Sequence, residues 1–318
     1  MEKKDITVIG AGVIDVLAGP VTSGIFESGS EPMSFTRLAF GGDALNEAVA
    51  LSRMGKKIEL VSLVGDDEAG MRVLGFLNQN GVGTDHVKVS QGLETGVNIV
   101  LVDEFHERHF LTNPGSSLRR LSEQDIFPYI EGMADIVSFA SMFVSPLLDI
   151  PAMLRLFAKI KEKSGRTLAV DLTKAKKQER LEDIAVLFPY IDYLLPNEAE
   201  LAVLAGSDHT ERNLDKILDL GAKCVILKRG KSGCVICRNR ERIEIPAFPV
   251  RQAVDTTGAG DCFAAGFLAA LSDQMALEDC CRYACAAASC SVEAVGATEG
   301  LTTLGEVRRR FQFLSEAE

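Results

Sequence analysis

The feature that most constrains this chain is an alternation of short β-rich runs with longer helical ones. "ITVIG", "IELVSLVG", "DIVSFA", "TLAVD", "DYLLP" and "CVILKR" read as strands, and segments with helical periodicity, such as 43 to 54, 67 to 80 and 149 to 164, separate them. Strands joined through helices pair in parallel, and the helices cover both faces of the sheet. The predicted fold class is therefore α/β, a three-layer α/β/α sandwich. In such sheets ligands bind beyond the carboxyl ends of the strands, so the residues just after each strand are the ones to read for chemistry.

Two stretches break the alternation. One covers 12 to 40 and is rich in Gly, Ser and Pro; the other, 95 to 112, "TGVNIVLVDEFHERHFLT", reads as a hairpin. They are expected to pair as a small β-sheet lid on a core made of 1–11, 41–94 and 113–318, with the exposed face of the lid available for a homodimer. With 318 residues, 47% of them apolar, the chain can bury one large core with such an appendage.

The net charge of -11, with no basic run longer than Arg308 to Arg310, argues against nucleic acid and for a small substrate. The start, "MEKKDITVIGAG", has too short an apolar run for a signal peptide, and no later run reaches membrane length, so a cytoplasmic protein is expected. All eight cysteines fall in the second half, several of them within apolar patterns, which suits reduced core packing. Cys234 and Cys237 form a C-x-x-C, but on a strand that spacing sends the side chains to opposite faces. His106 and His109 repeat that spacing, and neither pair is read as a metal site.

"GAGVID", Gly10 to Asp15, follows the first strand and begins like a dinucleotide fingerprint. Asp15 stands where the third glycine should be, and its charge would oppose a pyrophosphate, which weighs against a nicotinamide enzyme. Asp15 reads either as a turn former or as an acceptor for adjacent hydroxyls. In "FGGDALNEAVALSRMG" the pair Gly41–Gly42 lets the backbone approach a ligand. Asn46, one turn into the helix, offers a donor and acceptors to a polyhydroxyl substrate or simply meets solvent.

"PNEAE", Pro196 to Glu200, follows a strand. Asn197 and Glu200 fit a capping box, and Glu200 is also placed to hold a water of a hydrated Mg²⁺. "KRGKSG", Lys228 to Gly233, resembles a Walker A tail but has Val225 in place of the required glycine. Gly230 and Gly233 suggest a turn close to a flat ligand such as a nucleotide base, or an ordinary hairpin loop.

The stretch "VDTTGAGDCFAAGF" places Gly258, Ala259 and Gly260 before a helix expected to start near Asp261. Backbone N–H groups at the positive end of a helix stabilise a phosphoryl group in transfer, and the adjacent carboxylate can accept the proton of an attacking alcohol. The alternative is that Asp261 caps the helix and the glycines permit the turn.

Together, "GGDALNEAVALSRMG" and "DTTGAGDCFAAGF", in this order with the N-x-x-E between them, resemble the two signature regions of the ribokinase-like, or PfkB-type, carbohydrate kinases, and the resemblance spans essentially the whole chain. It implies a Rossmann-like sheet with a β-sheet lid, ATP as donor, Mg²⁺, and a monovalent cation such as K⁺ near the anion hole. On matching positions it implies Asp261 as catalytic base, Gly258 to Gly260 as anion hole, Asn197 and Glu200 at the magnesium and phosphate, and Asp15, Gly42 and Asn46 on the sugar. Asp255 and Thr257, with Ser291, Gly296 and Gly300, would form the cation site.

Asp43 replaces a lysine found in ribokinases, and "LTKAKK" replaces the usual segment after "TLAVD". Lys174 and Arg108 are accordingly candidates to meet an anionic group on a sugar acid or phosphosugar, or are solvated basic residues. The expected activity is ATP-dependent phosphorylation of a hydroxyl, primary in the favoured reading, on a small sugar. The alternatives are a nucleoside kinase of the same family and a non-catalytic sugar- or nucleotide-binding regulator.

Overall fold

The computed structural model describes residues 3–105, 107–301 and 303–316. His106 lies outside the described residues. The strands, in chain order, are β1 (Ile6–Ile9), β2 (Val13–Val21), β3 (Phe35–Gly41), β4 (Ile58–Gly65), β5 (Val87–Ser90), β6 (Val97–Asp103), β7 (Arg108–Thr112), β8 (Ile136–Met142), β9 (Thr167–Leu172), β10 (Tyr193–Leu195), β11 (Val225–Lys228), β12 (Cys234–Arg238) and β13 (Glu241–Ile245). Nine of them form one sheet in the order β13-β12-β11-β10-β9-β8-β1-β4-β5. All pairs from β5 to β11 are parallel, while β12 and β13 return antiparallel at one edge.

The central strands are near-continuous apolar runs because helices cover both faces; β1 and β4 are buried along their whole length. Two apolar clusters result. One packs helices Asp43–Arg53, Ala259–Ser272 and Leu277–Ser291 against the sheet, and the other packs helix Ile150–Lys161 and its neighbours on the opposite side. Cys234 belongs to the first cluster and Cys237 to the second, so the C-x-x-C straddles the sheet. All eight cysteines are buried and free.

A second sheet has the order β3-β2-β6-β7. Its strands come from either side of the first two core helices, so the chain leaves the core twice to build it. Direct cross-strand pairing puts Ala39, Asp15, Asn98 and Thr112 in one row and Leu38, Val16, Ile99 and Leu111 in the next. Neighbouring rows face opposite sides of a sheet. The polar row looks toward the core and the apolar row away from it. His109 pairs with Asp103 at 2.9 Å near the exposed tip of the β6–β7 hairpin.

Candidate active site

Two cavities lie beyond the carboxyl ends of the parallel strands. The first, of about 590 Å³, sits under the small sheet and is lined by Asp15, Gly42, Asn46, Asn98, Lys174 and Asp261, among others. Asn98 Nδ2 donates to Asp15 Oδ1 at 2.8 Å, and Thr112 Oγ1 donates to Asn98 Oδ1 at 2.8 Å. This chain of polar groups gives the cavity a wall of alternating donors and acceptors, which suits adjacent hydroxyls. Burial raises the pKa of Asp15, with Asn98 and Arg108 opposing.

Asp15 thus faces a ligand space from within a strand rather than forming a turn. Gly42, which precedes helix Asp43–Arg53, has φ 92°, and a Cβ there would lie 2.5 Å from the carbonyl oxygen of Ala11. Only glycine lets these two segments meet at the cavity floor.

Helix Ala259–Ser272 begins two residues before Asp261, with Gly258 as its N-cap at φ 72°. A helix start near Asp261 was expected, and the shift puts that carboxylate inside the first turn, over the helix N-terminus. The Ala259 amide donates to Thr256 O at 3.2 Å, so of the expected anion-hole groups it is already engaged. Among the described residues no backbone carbonyl takes the amides of Gly258 or Gly260.

Asp261 accepts a 2.8 Å hydrogen bond from Asn46 Nδ2. Desolvation at the cavity floor pushes its pKa well above the ordinary carboxylate value and Asp43 adds to the rise, while Asn46 and Lys228 pull it down. A carboxylate with a raised pKa accepts a proton more readily than an exposed one. Asp43 accepts a hydrogen bond from Ser141 Oγ and lines both cavities.

The second cavity, of about 430 Å³, is lined by Asn197, Glu200, Lys228, Gly230 and Gly233 together with apolar residues such as Phe248 and Val250. Asn197 and Glu200 form the expected capping box: the Glu200 amide donates to Asn197 Oδ1 at 2.9 Å and the Asn197 amide to Glu200 Oε2 at 2.8 Å. Gly230 and Gly233 flank a tight turn between the antiparallel strands β11 and β12, so the hairpin-loop reading holds for the backbone while the turn also borders the cavity.

Lys228 is more than part of that turn. Its Nζ lies 2.7 Å from both oxygens of Asp171, a residue that sequence reasoning did not single out. Its position near the carboxyl end of β9 was the available signal. Burial pushes Asp171 up to about 7, with Lys228 opposing. Burial alone would lower the Lys228 pKa, but Asp171, Glu200 and Asp261 together raise it.

Burial likewise raises Glu200. Asp171, Glu200 and Asp261 place carboxyl oxygens along the wall of this cavity. Glu200 and its neighbours therefore fit Mg²⁺, which prefers carboxylates and retained waters.

Of the expected monovalent-cation residues, the Asp255 carboxylate has no acceptor position open to such an ion. Asp255 Oδ1 accepts from the Thr257 amide at 3.0 Å and from Thr257 Oγ1 at 2.7 Å, and Oδ2 accepts from the Gly296 amide at 2.9 Å and from Arg108 Nη2 at 2.6 Å. These bonds fill the acceptor capacity of a carboxylate. Ser291 Oγ donates to Ala288 O at 2.8 Å, and Gly300 packs against the carbonyls of Cys290 and Ser291. Arg108, expected on the substrate, is instead bound to Asp255, whereas Lys174 does line the first cavity.

Asp43, Ser141, Thr173, Gly260 and Asp261 line both cavities. Two cavities that share one buried carboxylate and one helix N-terminus fit a group-transfer enzyme of the α/β class, with an anion at the junction. The sequence pattern of the pfkB family carbohydrate kinases matches residues 3–304, and the chain belongs to that family, whose fold is ribokinase-like and whose members phosphorylate a hydroxyl group.

The chain is 29% identical over 286 residues to a ribokinase of Haemophilus influenzae, covering 88% of this chain and 89% of that one. It is 30% identical over 285 residues to a ribokinase of Schizosaccharomyces pombe, covering 85% and 86%. Among solved structures it superimposes on the ribokinase of Thermotoga maritima with a TM-score of 0.81 at 27% identity, over 96% of this chain and 99% of that one. It shares the fold of the Arabidopsis thaliana ribokinase complexed with ribose and ATP, with a TM-score of 0.83 at 23% identity, covering 98% and 100%.

Proposed function

We propose that this protein transfers the γ-phosphate of ATP to a hydroxyl of a small carbohydrate, with Asp261 as the general base. The observation that carries the reading is the placement of Asp261 and Gly260 on the boundary of the two cavities. The acceptor occupies the cavity under the small sheet, where Asp15, Asn98 and Asn46 orient its hydroxyls and Lys174 stands at hand for an anionic substituent. The nucleotide occupies the other, with its base between the Gly230–Gly233 turn and Phe248.

In the reaction Asp261 takes the proton of the attacking hydroxyl. The amides of Gly258 and Gly260 and the helix N-terminus stabilise the charge on the transferred group. Glu200 would hold a water of Mg²⁺, which supplies charge neutralisation at the donor phosphates. Lys228, fixed by Asp171, supplies a further positive charge.

A nucleoside acceptor is the second reading. Phe110 lines the acceptor cavity and is 56% exposed, an aromatic face open to a base.

The segments 12–40 and 95–112 are taken as a lid over the acceptor. Its outward row of Leu38, Val16, Ile99 and Leu111 supports a homodimer through this sheet: Leu38 and Leu111 are 49% and 57% exposed, an apolar strip that a second copy would cover. The buried free thiols support a cytoplasmic location, and among the described residues no helix is long and apolar enough to cross a membrane.

The test is coupled ADP release with ATP and Mg²⁺ against free sugars, sugar acids, sugar phosphates and nucleosides. ADP formation raised by one acceptor class supports the reading. ATP binding without ADP from any of them contradicts it in favour of a regulator.

A further inference from the structure

We infer that the Arg108 guanidinium takes the place of a monovalent cation beside the anion hole, so that this enzyme works without one. The inference rests on the phosphotransfer reading above for its functional meaning, but the geometry that carries it is independent of the acceptor. Asp255 lies three residues before Gly258 in sequence, and its four acceptor positions are filled by Thr257, Gly296 and Arg108. A cation at this carboxylate would have to displace a donor already at hydrogen-bonding distance. The one donor of the four that carries a positive charge comes from the small sheet, 147 positions away in the chain.

The register of the small sheet explains how it arrives. Arg108, on β7, pairs with Val102 on β6 and stands two residues from Phe110, so the Arg108 and Phe110 side chains both lie on the face turned toward the core. The side chains of Arg108 and Asp255 are only 24% and 10% exposed, so the pair is held largely away from water. Burial alone would raise the Asp255 pKa, but the Thr257 and Gly296 hydrogen bonds and the Arg108 charge outweigh it.

The consequence for the anion hole is positional. Asp255 ties together the segment leading into Gly258, through Thr257, and the segment at Gly296, which precedes the Ala297 backbone against which Gly258 packs. A positive charge at Asp255 therefore steadies both walls of the turn that presents the Gly258 and Gly260 amides. An ion recruited from solution would do this in proportion to its concentration. A guanidinium, always charged and covalently attached, does it at any salt composition. Arg108 is thus a positioning residue, acting on the transferred group through Asp255.

The test follows turnover and melting temperature as K⁺ replaces tetramethylammonium at constant ionic strength, for the unaltered protein, Arg108→Gln and Arg108→Lys. The inference expects the unaltered protein to vary by less than about twofold in turnover and to melt at the same temperature throughout. Arg108→Gln should lose about tenfold or more in tetramethylammonium, as expected when one partner of a buried charge pair is removed, and should recover on addition of K⁺. Arg108→Lys, which keeps the charge, should lie between.

Activation of the unaltered protein by K⁺ several-fold, a K⁺-specific rise in its melting temperature, or full activity of Arg108→Gln without K⁺ would each overturn the inference. If Arg108→Gln does not fold, the K⁺ response of the unaltered protein decides alone. If no acceptor gives ADP in any salt, the phosphotransfer reading fails, and the melting temperatures still show whether K⁺ binds.

Discussion

Asn46 and Asp261, separated by 215 positions, are joined by a 2.8 Å hydrogen bond at the floor of the two cavities. The amide group of Asn46 donates to the carboxylate, while its Oδ1 is buried and has no hydrogen-bond partner among the described residues. A buried acceptor left unpaired is costly, and a hydroxyl donor from the substrate would satisfy it. On the proposed reading Asn46 both tunes the Asp261 carboxylate and holds the acceptor.

Replacing Asn46 by Ala removes both interactions. The acceptor KM should rise by about tenfold, the cost of one hydrogen bond to a charged or desolvated partner. Loss of the donor also destabilises ionised Asp261, so the acid limb of the kcat/KM profile should move to higher pH. Initial-rate kinetics across pH read both effects, and an unchanged limb would contradict the link between the two residues.

Asp43→Asn tests the opposite sign. Asp43 raises the Asp261 pKa by like-charge repulsion, and a base is active only when deprotonated, so activity is lost as pH falls through the Asp261 pKa. Removing the Asp43 charge lowers that pKa. The acid limb should therefore move to lower pH, measured in the same pH series, even if the maximal rate falls because Asp43 borders both cavities.

Glu47 carries a stability prediction. It is buried beneath the site, its Oε1 has no hydrogen-bond partner among the described residues, and burial pushes its pKa from 4.5 to about 8 against the opposition of Ser138, with Asp171 adding to the rise. Between these values the folded protein holds a proton that the unfolded chain has released, so this residue's contribution falls as pH rises from 4.5 toward 8 and is level above. Glu47→Gln removes the proton dependence. It should raise stability by ~3 kcal/mol near neutral pH, with a gain that shrinks toward acid pH, read from denaturant melts as a function of pH.

Gly258→Ala probes the anion hole through the backbone. Gly258 has φ 72°, and a Cβ would lie 2.6 Å from the Ala297 carbonyl oxygen, so the substitution must shift one wall of the turn. We expect a destabilisation of about 1–3 kcal/mol and a fall in kcat larger than the change in ATP affinity. Comparing calorimetric ATP binding with turnover separates the two.

The parts of this site that are contiguous in sequence were readable there. Gly258 to Asp261 lie within one turn at a helix N-terminus and Asn197 to Glu200 within one turn after β10, where local geometry follows from residue type, and the alternating strands emerged because buried parallel strands are continuous apolar runs. What depends on pairing across the fold was not readable. Asn98 and Thr112 join Asp15 only through the register of the small sheet. Asp171 meets Lys228 across 57 positions and Arg108 meets Asp255 across 147, so the carboxylate partners of both basic residues lie beyond what their local sequence shows.

The central claim, that Asp261 is the base, is tested most directly by rapid-quench single-turnover kinetics of Asp261→Asn with bound ATP and a saturating acceptor identified on the unaltered protein. The account predicts that ATP and acceptor still bind with affinities close to those of the unaltered protein, while the phosphoryl-transfer step slows by about a hundredfold to ten-thousandfold. A transfer rate unchanged by the substitution would contradict it and return Asp261 to the role of a first-turn helix residue.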